Sequence, residues 1–338
     1  MKPFKPIALA AVLVLAVSFL IPSLLVLPFQ NDKVSGKLQD KKVKQVKAEK
    51  KNNTIQVSVY RSMEKEIDQM PMEDYVAGVV AAEMPADFEI EALKAQALTA
   101  RTFIVNRLLY GANSDLPAGA DVTDTVSDQV YLSNAELKKI WGRQYTTKIN
   151  KIKKAVAATK GKIIIYRDKP IDAAFFSTSN GYTENAEDYW TNAVPYLKSV
   201  KSPWDKASPK YKRQEVITAA GFQNKLGIQL SANDMGTVLA RTQGNRVAKI
   251  KIAGKTFTGR EIRDKLGLPS ADFTWIRKGN DIVITTKGYG HGVGMSQYGA
   301  NGMAKEGKDY AAIVKYYYKG VSVVPLDRFG NAKLTAQK

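Results

Sequence analysis

Residues 7–28 form an apolar segment (IALAAVLVLAVSFLIPSLLVLP) that contains no charged side chain. A segment of this length is sufficient for one helix to cross the hydrocarbon core of a bilayer. Lys2 and Lys5 precede it, and positive charge favours the cytoplasmic side. The sequence therefore predicts a cytoplasmic N-terminus at residues 1–6 and a single transmembrane helix at residues 7–28. A cleaved signal peptide is the alternative, but the segment exceeds a usual signal core and no A-x-A-like cleavage site follows it.

The next segment, residues 29–53, carries eight lysines against three acidic residues and few large apolar side chains. This composition cannot form a packed core, so it predicts a flexible stalk before an extracytoplasmic folded domain at residues 54–338. The whole chain has a formal net charge of +19. On an exported protein this excess indicates a polyanionic neighbour such as anionic lipid, teichoic acid or acidic glycan, and the predicted topology argues against nucleic acid.

The chain contains no cysteine and a single histidine, His291. Disulfide bonds and cysteine nucleophiles are therefore excluded. A histidine-rich zinc site cannot be built from one imidazole, and a Ser-His-Asp triad would require His291 itself.

Helical and strand patterns are mixed along residues 54–338 rather than regularly alternating, which predicts an α+β fold of helices and antiparallel hairpins. Asp87 is the predicted N-cap of the second helix and Gly111 its end, while Thr258 and Glu261 form a capping box. Helices are predicted at residues 71–83, 88–110, 135–159, 258–265 and 310–318. Strands are predicted at residues 55–60 and 281–286, with one hairpin at 162–176 turned at 168–170 and another at 247–257 turned at 253–254.

Glu83 lies on the apolar face of the first predicted helix. Met72, Val76, Val79 and Val80 form a stripe on this helix, and at about 100° per residue position 83 falls roughly 20° from position 72. Glu83 also occupies the last helical turn, where the helix dipole disfavours a negative charge. Burial and dipole both favour the protonated carboxyl, which a general acid near neutral pH requires. The alternative is a structural ion pair with Lys94 or Arg101, which share one face of the next helix.

Four stretches together resemble one family. The sequence resembles the stage II sporulation protein D family, the lytic transglycosylases of engulfment in endospore-forming bacteria, and the likeness extends from about residue 55 to residue 324. The stretches that carry it are 76–85 (VAGVVAAEMP), 91–103 (EALKAQALTARTF), 176–185 (FSTSNGYTEN) and 290–300 (GHGVGMSQYGA).

The resemblance implies an enzyme that cleaves the MurNAc–GlcNAc linkage of peptidoglycan and leaves a 1,6-anhydro-MurNAc end. Its catalytic glutamate corresponds to Glu83, which would act first as acid and then as base, without a second carboxylate or a cofactor. It also implies an enzyme in the mother-cell engulfing membrane that acts on strands stripped of stem peptides. The implied partners are an amidase, stage II sporulation protein P, and a membrane scaffold, stage II sporulation protein M.

The matching stretches supply substrate-binding candidates. Hydroxyl and amide groups after a strand suit sugar hydroxyls, and Tyr182, Tyr189 or Trp190 could offer flat faces, although an ordinary turn would also contain such residues. The glycine-rich run at 288–300 predicts close approach of the backbone to glycan or to another loop, and His291 could equally be structural. The candidates are Lys94, Gln96, Arg101, Ser177, Thr178, Ser179, Asn180, Gly181, Tyr182, His291, Ser296 and Gln297.

The sequence departs from the family at residues 121–129 (DVTDTVSDQ). Some relatives hold zinc in this loop with histidine and cysteine, and here both are absent, so no metal is predicted. Aspartates could hold the loop by turn hydrogen bonds instead.

Two other functions remain open at this point. The first is a non-catalytic glycan-binding module that enhances a cell-wall amidase, since related sequences include such enhancers. The second is a hydrolysing muramidase in which Glu187 or Asp188 is the second carboxylate.

Overall fold

The computed structural model describes residues 54–111, 116–231 and 234–329. The predicted cytoplasmic N-terminus, transmembrane helix and lysine-rich stalk at residues 1–53 lie outside these ranges. Within the described residues, no helix combines the length and the hydrophobicity needed to cross a bilayer.

Helices and mostly antiparallel sheets are interspersed along the described chain, which confirms the α+β prediction. The helices are α1 Met72–Glu83, α2 Ile90–Tyr110, α3 Asn134–Trp141, α4 Tyr145–Ala158, α5 Ala186–Trp190, α6 Ala219–Leu226, α7 Gly259–Leu266, α8 Gln297–Lys305 and α9 Tyr310–Tyr317. The strands are β1 Gln56–Arg61, β2 Glu66–Pro71, β3 Val122–Thr123, β4 Lys162–Tyr166, β5 Lys169–Pro170, β6 Phe175–Phe176, β7 Lys212–Thr218, β8 Thr237–Arg241, β9 Val247–Ile252, β10 Lys255–Thr258, β11 Phe273–Lys278, β12 Asp281–Lys287, β13 Met295–Ser296 and β14 Ser322–Pro325.

The larger hydrophobic core surrounds α1 and α2. All four residues of the predicted α1 stripe are buried, but so are Ala77, Gly78 and Ala81, so the helix is enclosed on nearly all sides. A Cβ on Gly78 would lie 2.3 Å from the Tyr131 ring. This glycine therefore lets the loop before α3 pack directly on α1, close to its C-terminal end.

A smaller core occupies the segment from β7 to β12. It contains two three-stranded antiparallel sheets, β10-β9-β8 and β11-β12-β7, covered by α6 and α7. The two ends of this segment lie next to each other, because the Gly288 amide donates a hydrogen bond of 2.8 Å to the Tyr211 carbonyl. Residues 212–287 are therefore a lobe whose two ends meet. The lobe also contacts the main part of the chain through hydrogen bonds of Gly244 with Asn180, Thr242 with Glu184 and Arg260 with Tyr189.

Several predicted element boundaries require correction. Residues 135–159 are two helices, because Gly142 at φ 50° and a short 3₁₀ turn separate α3 from α4. Helix α2 begins at Ile90 with Glu89 as its N-cap, so Asp87 is not the cap, whereas Gly111 does end it. The hairpin of β4 turns at Arg167 and Asp168, earlier than predicted. Strand β6 leaves this hairpin and pairs in parallel with β13.

Three local features of the smaller core were predicted correctly. The capping box of Thr258 and Glu261 is present at the start of α7, and β9 turns into β10 at Ala253 and Gly254, both at positive φ. Strand β12 also agrees with its prediction. The patterns did not predict β2, β3, β7, β8, β11, β13, β14, α5, α6 or α8.

Candidate active site

A wide cleft of the described residues, here called the central groove, has a volume of about 690 Å³. This size is typical of ligand-binding pockets. Its walls come from distant parts of the chain. Ala82 and Glu83 at the end of α1, and Pro85 just after it, form one part of the lining. The other lining residues are Phe103, residues 126–130, residues 172–177, Tyr189, Trp190, Lys210, Arg260, residues 289–291, Gln297 and Tyr298.

Glu83 is the last residue of α1 and its partly buried side chain lines the central groove. Burial raises the pKa of this carboxyl, and a hydrogen bond from the Val130 amide to Oε1, at 2.9 Å, opposes that rise only in part. No salt bridge to Glu83 occurs among the described residues. The carboxyl is thus oriented by the backbone while its charged form remains disfavoured.

Lys94 and Arg101 do not contact Glu83, so the ion-pair alternative is wrong. The Nζ of Lys94 lies 2.6 Å from Oε1 of Glu91. The guanidinium of Arg101 is fully buried and binds both carboxylate oxygens of Glu73, at 3.0 and 2.7 Å. Neither residue lines the central groove. The geometry therefore gives both residues structural contacts and does not support them as substrate ligands.

The loop at residues 121–129 is held by its aspartates. Asp121 and Asp124 accept backbone amides of the β1 region, from Ser58 at 2.7 Å and from Ser62 at 3.1 Å. Asp128 is buried and accepts the Thr123 amide at 2.8 Å, while Arg107 lies 3.3 Å from its other oxygen. These carboxylates are directed to different partners, and no group of three potential ligands converges among the described residues. The residues present do not fit the zinc site of some relatives.

Within the predicted segment 177–182, only Ser177 lines the central groove. Thr178, Ser179 and Asn180 are buried and bind protein groups instead: the Ser208 hydroxyl, Asp205 and the Gly244 carbonyl respectively. The side chain of Asn180 also accepts the amide of Tyr182, and the Ser179 hydroxyl accepts that of Gly181. Residues 179–182 thus contain two local turn bonds, but Thr178, Ser179 and Asn180 also bind groups more than 20 positions away, so the segment is more than a self-capped turn.

Asp205 organises this region, and the sequence patterns did not single it out. Its fully buried carboxylate accepts the Ser179 amide at 2.7 Å and the hydroxyls of Ser202 and Ser296. Burial raises the pKa of Asp205 and the hydrogen bonds oppose that rise. Ser296 also caps α8, so it is structural and does not reach the groove.

Gln297 and His291 do line the central groove. The Gln297 amide points to the fully buried Gln96, at 3.5 Å, so Gln96 supports the wall from behind rather than reaching the groove. The Nδ1 of His291 accepts the Val293 amide at 3.1 Å, which requires that Nε2 carry the hydrogen it donates to the Phe175 carbonyl at 3.0 Å. Burial, with Arg263 and Arg246 nearby, lowers the pKa of His291 to about 4.

The glycine-rich run approaches another segment of the protein, as one of its two predicted alternatives stated. A Cβ on Gly294 would lie 2.0 Å from the Ala174 carbonyl, and one on Gly290 would lie 2.9 Å from the Phe176 Cβ. Both glycines have positive φ. Only residues without side chains permit this contact, which places β6 and β13 together beneath the groove.

Aromatic rings and cations also line the central groove. Tyr189 and Trp190 stand edge to face at 5.5 Å, and each packs near the His291 ring. Arg260 from the smaller lobe lies 4.6 Å from the Tyr189 ring centre, and Lys210 lies 4.8 Å from that of Tyr289. The sequence patterns missed both cations because their approach to the groove depends on tertiary packing, and for Arg260 on how the lobe is attached.

Glu187 and Asp188, the predicted second carboxylates of a muramidase, do not line the groove. Lys198 lies 2.5 Å from Glu187, and this hydrogen bond lowers the pKa of the Glu187 carboxyl. Asp188 accepts the Asn185 amide at 2.9 Å. The carboxylates that share the groove with Glu83 are Asp128, which accepts hydrogen bonds from Thr123 and Arg107, and Asp172.

Comparisons with known proteins identify relatives across nearly the whole chain. A family model described as Stage II sporulation protein matches residues 60–166. The chain is 52% identical over 343 residues to stage II sporulation protein D of Bacillus subtilis (strain 168), covering 99% of this chain and all of that protein. It is 51% identical over 335 residues to stage II sporulation protein D of Bacillus amyloliquefaciens, covering 96% and 97%. It is also 30% identical over 301 residues to the amidase enhancer of Bacillus subtilis (strain 168), covering 73% of this chain and 40% of that protein.

Proposed function

The chain belongs to the stage II sporulation protein D family, and from this we propose that it is a peptidoglycan lytic transglycosylase of engulfment. In this proposal it cuts the MurNAc–GlcNAc linkage and leaves 1,6-anhydro-MurNAc ends. The observation that carries the proposal is Glu83, a groove-lining carboxyl with a raised pKa and no cationic partner among the described residues.

Glu83 can perform both proton transfers. As an acid it protonates the glycosidic oxygen, so that the C4 hydroxyl of GlcNAc leaves and positive charge develops at C1 of MurNAc. As the resulting carboxylate it accepts the proton of the MurNAc C6 hydroxyl while O6 bonds to C1. The proton is returned to Glu83, no water is consumed, and the ring closes as the 1,6-anhydro sugar. This chemistry needs one carboxyl at the scissile bond. Of the two other carboxylates in the groove, Asp128 is already bound by Thr123 and Arg107, whereas Asp172, like Glu83, has a pKa raised by burial.

The groove walls suit a glycan. Trp190 and Tyr289 are 37% and 42% exposed, so their ring faces can cover the apolar faces of sugars. The Ser177 hydroxyl offers hydrogen bonds to hydroxyl and N-acetyl groups, and the buried Gln297, whose amide points to Gln96, forms part of the wall. We include Ser177, His291 and Gln297 among the proposed substrate contacts, with Tyr189 and Trp190 beside them.

Digestion of purified, peptide-free wall glycan tests the proposal. The full chain is expected to release anhydro-MurNAc ends, and Glu83→Gln to lower the rate by about 100-fold or more, the range of a lost general acid–base group. Glu64→Gln is the matched control because Glu64 is exposed and lies outside the groove. It should cut at the normal rate. Anhydro ends released at that rate by Glu83→Gln would remove the assignment.

The relative named amidase enhancer favours one second candidate, a non-catalytic glycan-binding protein that stimulates a wall amidase. The same digestion separates the possibilities. Anhydro ends support the transglycosylase, reducing ends indicate a hydrolase, and glycan binding without cutting supports the enhancer.

The setting of this activity is also part of the proposal. The uncharged segment at residues 7–28 and the lysines before it support a single-pass anchor with the folded domain outside the cytoplasm, in the mother-cell engulfing membrane. An amidase that strips stem peptides, stage II sporulation protein P, and a scaffold, stage II sporulation protein M, are the proposed protein partners. Co-purification from sporulating cells, with and without residues 1–28, tests both points.

A further inference from the structure

A second cavity adjoins the central groove at the C-terminal end of α1. This side pocket has a volume of about 430 Å³ and lies between the residues after Glu83 and the surface of α8. Pro85 and Tyr298 line both the side pocket and the central groove. These two residues therefore form the ridge at which one cavity passes into the other.

The reacting carboxyl lies beside this ridge. Pro85 follows Glu83 by two residues, and Met84 between them has an extended backbone. A glycosidic bond that Glu83 protonates would then have the central groove on one side and the side pocket on the other. A pocket that ended at the reacting group would instead select the end of a chain.

The side pocket has the surface chemistry of a sugar-binding site. Phe88, Trp204 and Tyr298 supply aromatic surface, and Asp87, Asn301 and Lys305 supply polar groups. Flat apolar faces ringed by hydrogen-bonding groups match a pyranose, which has apolar C–H faces and hydroxyls at its edge.

These aromatic side chains are fixed in place. The Trp204 indole donates to Glu306 at 2.7 Å and meets Tyr316 edge to face at 5.6 Å. Tyr298 meets Phe88 edge to face at 4.9 Å, which holds the ridge against the pocket floor. A surface ordered before binding loses little conformational entropy when a ligand arrives.

We propose that the side pocket binds further sugar units of the same glycan strand, beyond the ridge of Pro85 and Tyr298. The strand then crosses Glu83 with units in both cavities, and the cut falls at an internal linkage of a long polymer. This inference rests on the proposed function only in taking peptide-free glycan as the ligand.

Binding of peptide-free glycan strands tests the inference independently of cutting. The full chain carrying Glu83→Gln is used as the parent, so that strands stay intact, and binding is measured with long strands and with a single disaccharide. Ala207 is exposed and lines the side pocket, so Ala207→Trp fills the cavity without removing a buried contact. Its exposed neighbour Lys206 lies outside the pocket, and Lys206→Trp is the matched control.

Ala207→Trp is expected to weaken binding of long strands about tenfold, the scale of one or two lost aromatic contacts, and to leave disaccharide binding unchanged. Lys206→Trp should match the parent. A second filling variant, Lys305→Trp, enters from the other wall and should repeat the result even if the first folds poorly.

Equal binding of long strands by the parent and both filling variants would overturn the inference. So would an equal loss for the disaccharide and the long strand. If the unsubstituted chain fails to cut long strands, the proposed catalysis is contradicted. The side pocket is still supported in that case when the parent binds long strands and the filling variants bind them more weakly.

Discussion

The Val130 backbone amide donates a hydrogen bond of 2.9 Å to Oε1 of Glu83, although 47 positions separate the two residues. The bond fixes the direction of the carboxyl and favours the proton on Oε2. A single neutral donor stabilises the carboxylate too little to overcome burial, so the pKa of Glu83 is still raised. The loop that carries Val130 therefore orients the carboxyl. Because the pKa stays raised, Glu83 still keeps its proton to a higher pH than an ordinary glutamate does.

Glu83→Gln is expected to raise the free energy of unfolding at neutral pH. The pKa of Glu83 is raised in the folded state, so ionisation destabilises the native protein as pH rises from the ordinary glutamate pKa through the folded one. The variant lacks this loss. Its advantage over wild type, measured by urea unfolding, should grow across that interval, stay level above it and vanish at pH 3. An advantage that is constant with pH would contradict the raised pKa.

Asp128→Asn is expected to reduce glycan cutting about 10- to 100-fold, because small misplacements of a catalytic group have effects of that order. Asp128 lies two residues before Val130 and anchors the loop to Thr123 and Arg107. The free energy of unfolding should fall by about 1–3 kcal/mol. Asp121→Ala loses the bond from the Ser58 amide at the other end of the loop and should lower stability but not the cutting rate of the folded protein.

His291 is expected to titrate near pH 4, where burial places its pKa. Since the chain has one histidine, its NMR signals need no assignment, and the nitrogen shifts should show the Nε2–H form at pH 7. An unfolded histidine takes up its proton near pH 6.5. His291 should therefore lower stability as pH falls from 6.5 towards 4, an effect absent in His291→Gln. A titration midpoint near 6.5 in the folded protein would contradict this account.

Gly294→Ala is expected to destabilise the protein more than Gly307→Ala does. The two glycines have nearly equal φ, 80° and 81°, so each alanine incurs about 1–2 kcal/mol of left-handed backbone strain. A Cβ at Gly307 meets no atom within 4 Å, whereas one at Gly294 lies 2.0 Å from the Ala174 carbonyl. The clash should add about 1–3 kcal/mol or prevent folding. Equal unfolding free energies for the two variants would show that β6 and β13 do not approach so closely.

Arg101→Met is expected to lower the free energy of unfolding by about 3 kcal/mol, because it leaves Glu73 without its partner. Lys94→Met removes the pair with Glu91 and the contact of the Lys94 ammonium with the Tyr310 ring, and it should change the free energy of unfolding by about 1 kcal/mol or less. Glycan affinity per folded molecule should be unchanged in both. A specific loss of affinity in Arg101→Met with normal stability would restore Arg101 as a substrate ligand.

Features set by neighbouring residues were predictable. The Thr258–Glu261 capping box, the turn at Ala253 and Gly254, and the end of α2 at Gly111 each depend on atoms within a few positions along the chain. The position of Glu83 at the end of an enclosed helix follows from the spacing of apolar residues and from Pro85. The hydroxyl-rich segment 177–182 was misleading for the same reason, since its residue types suit both a binding loop and a self-capped turn.

The sequence by itself thus determined which residue types stand on each local element, including the carboxyl on the apolar face of α1. Only the tertiary structure decided their partners: Arg101 with Glu73, Ser179 and Ser296 with Asp205, and Val130 with Glu83. Hydrogen bonds and ion pairs depend on distances of a few ångströms between groups far apart in the chain. Local periodicity carries no information on such distances, which arise when the cores pack and the 212–287 lobe is attached.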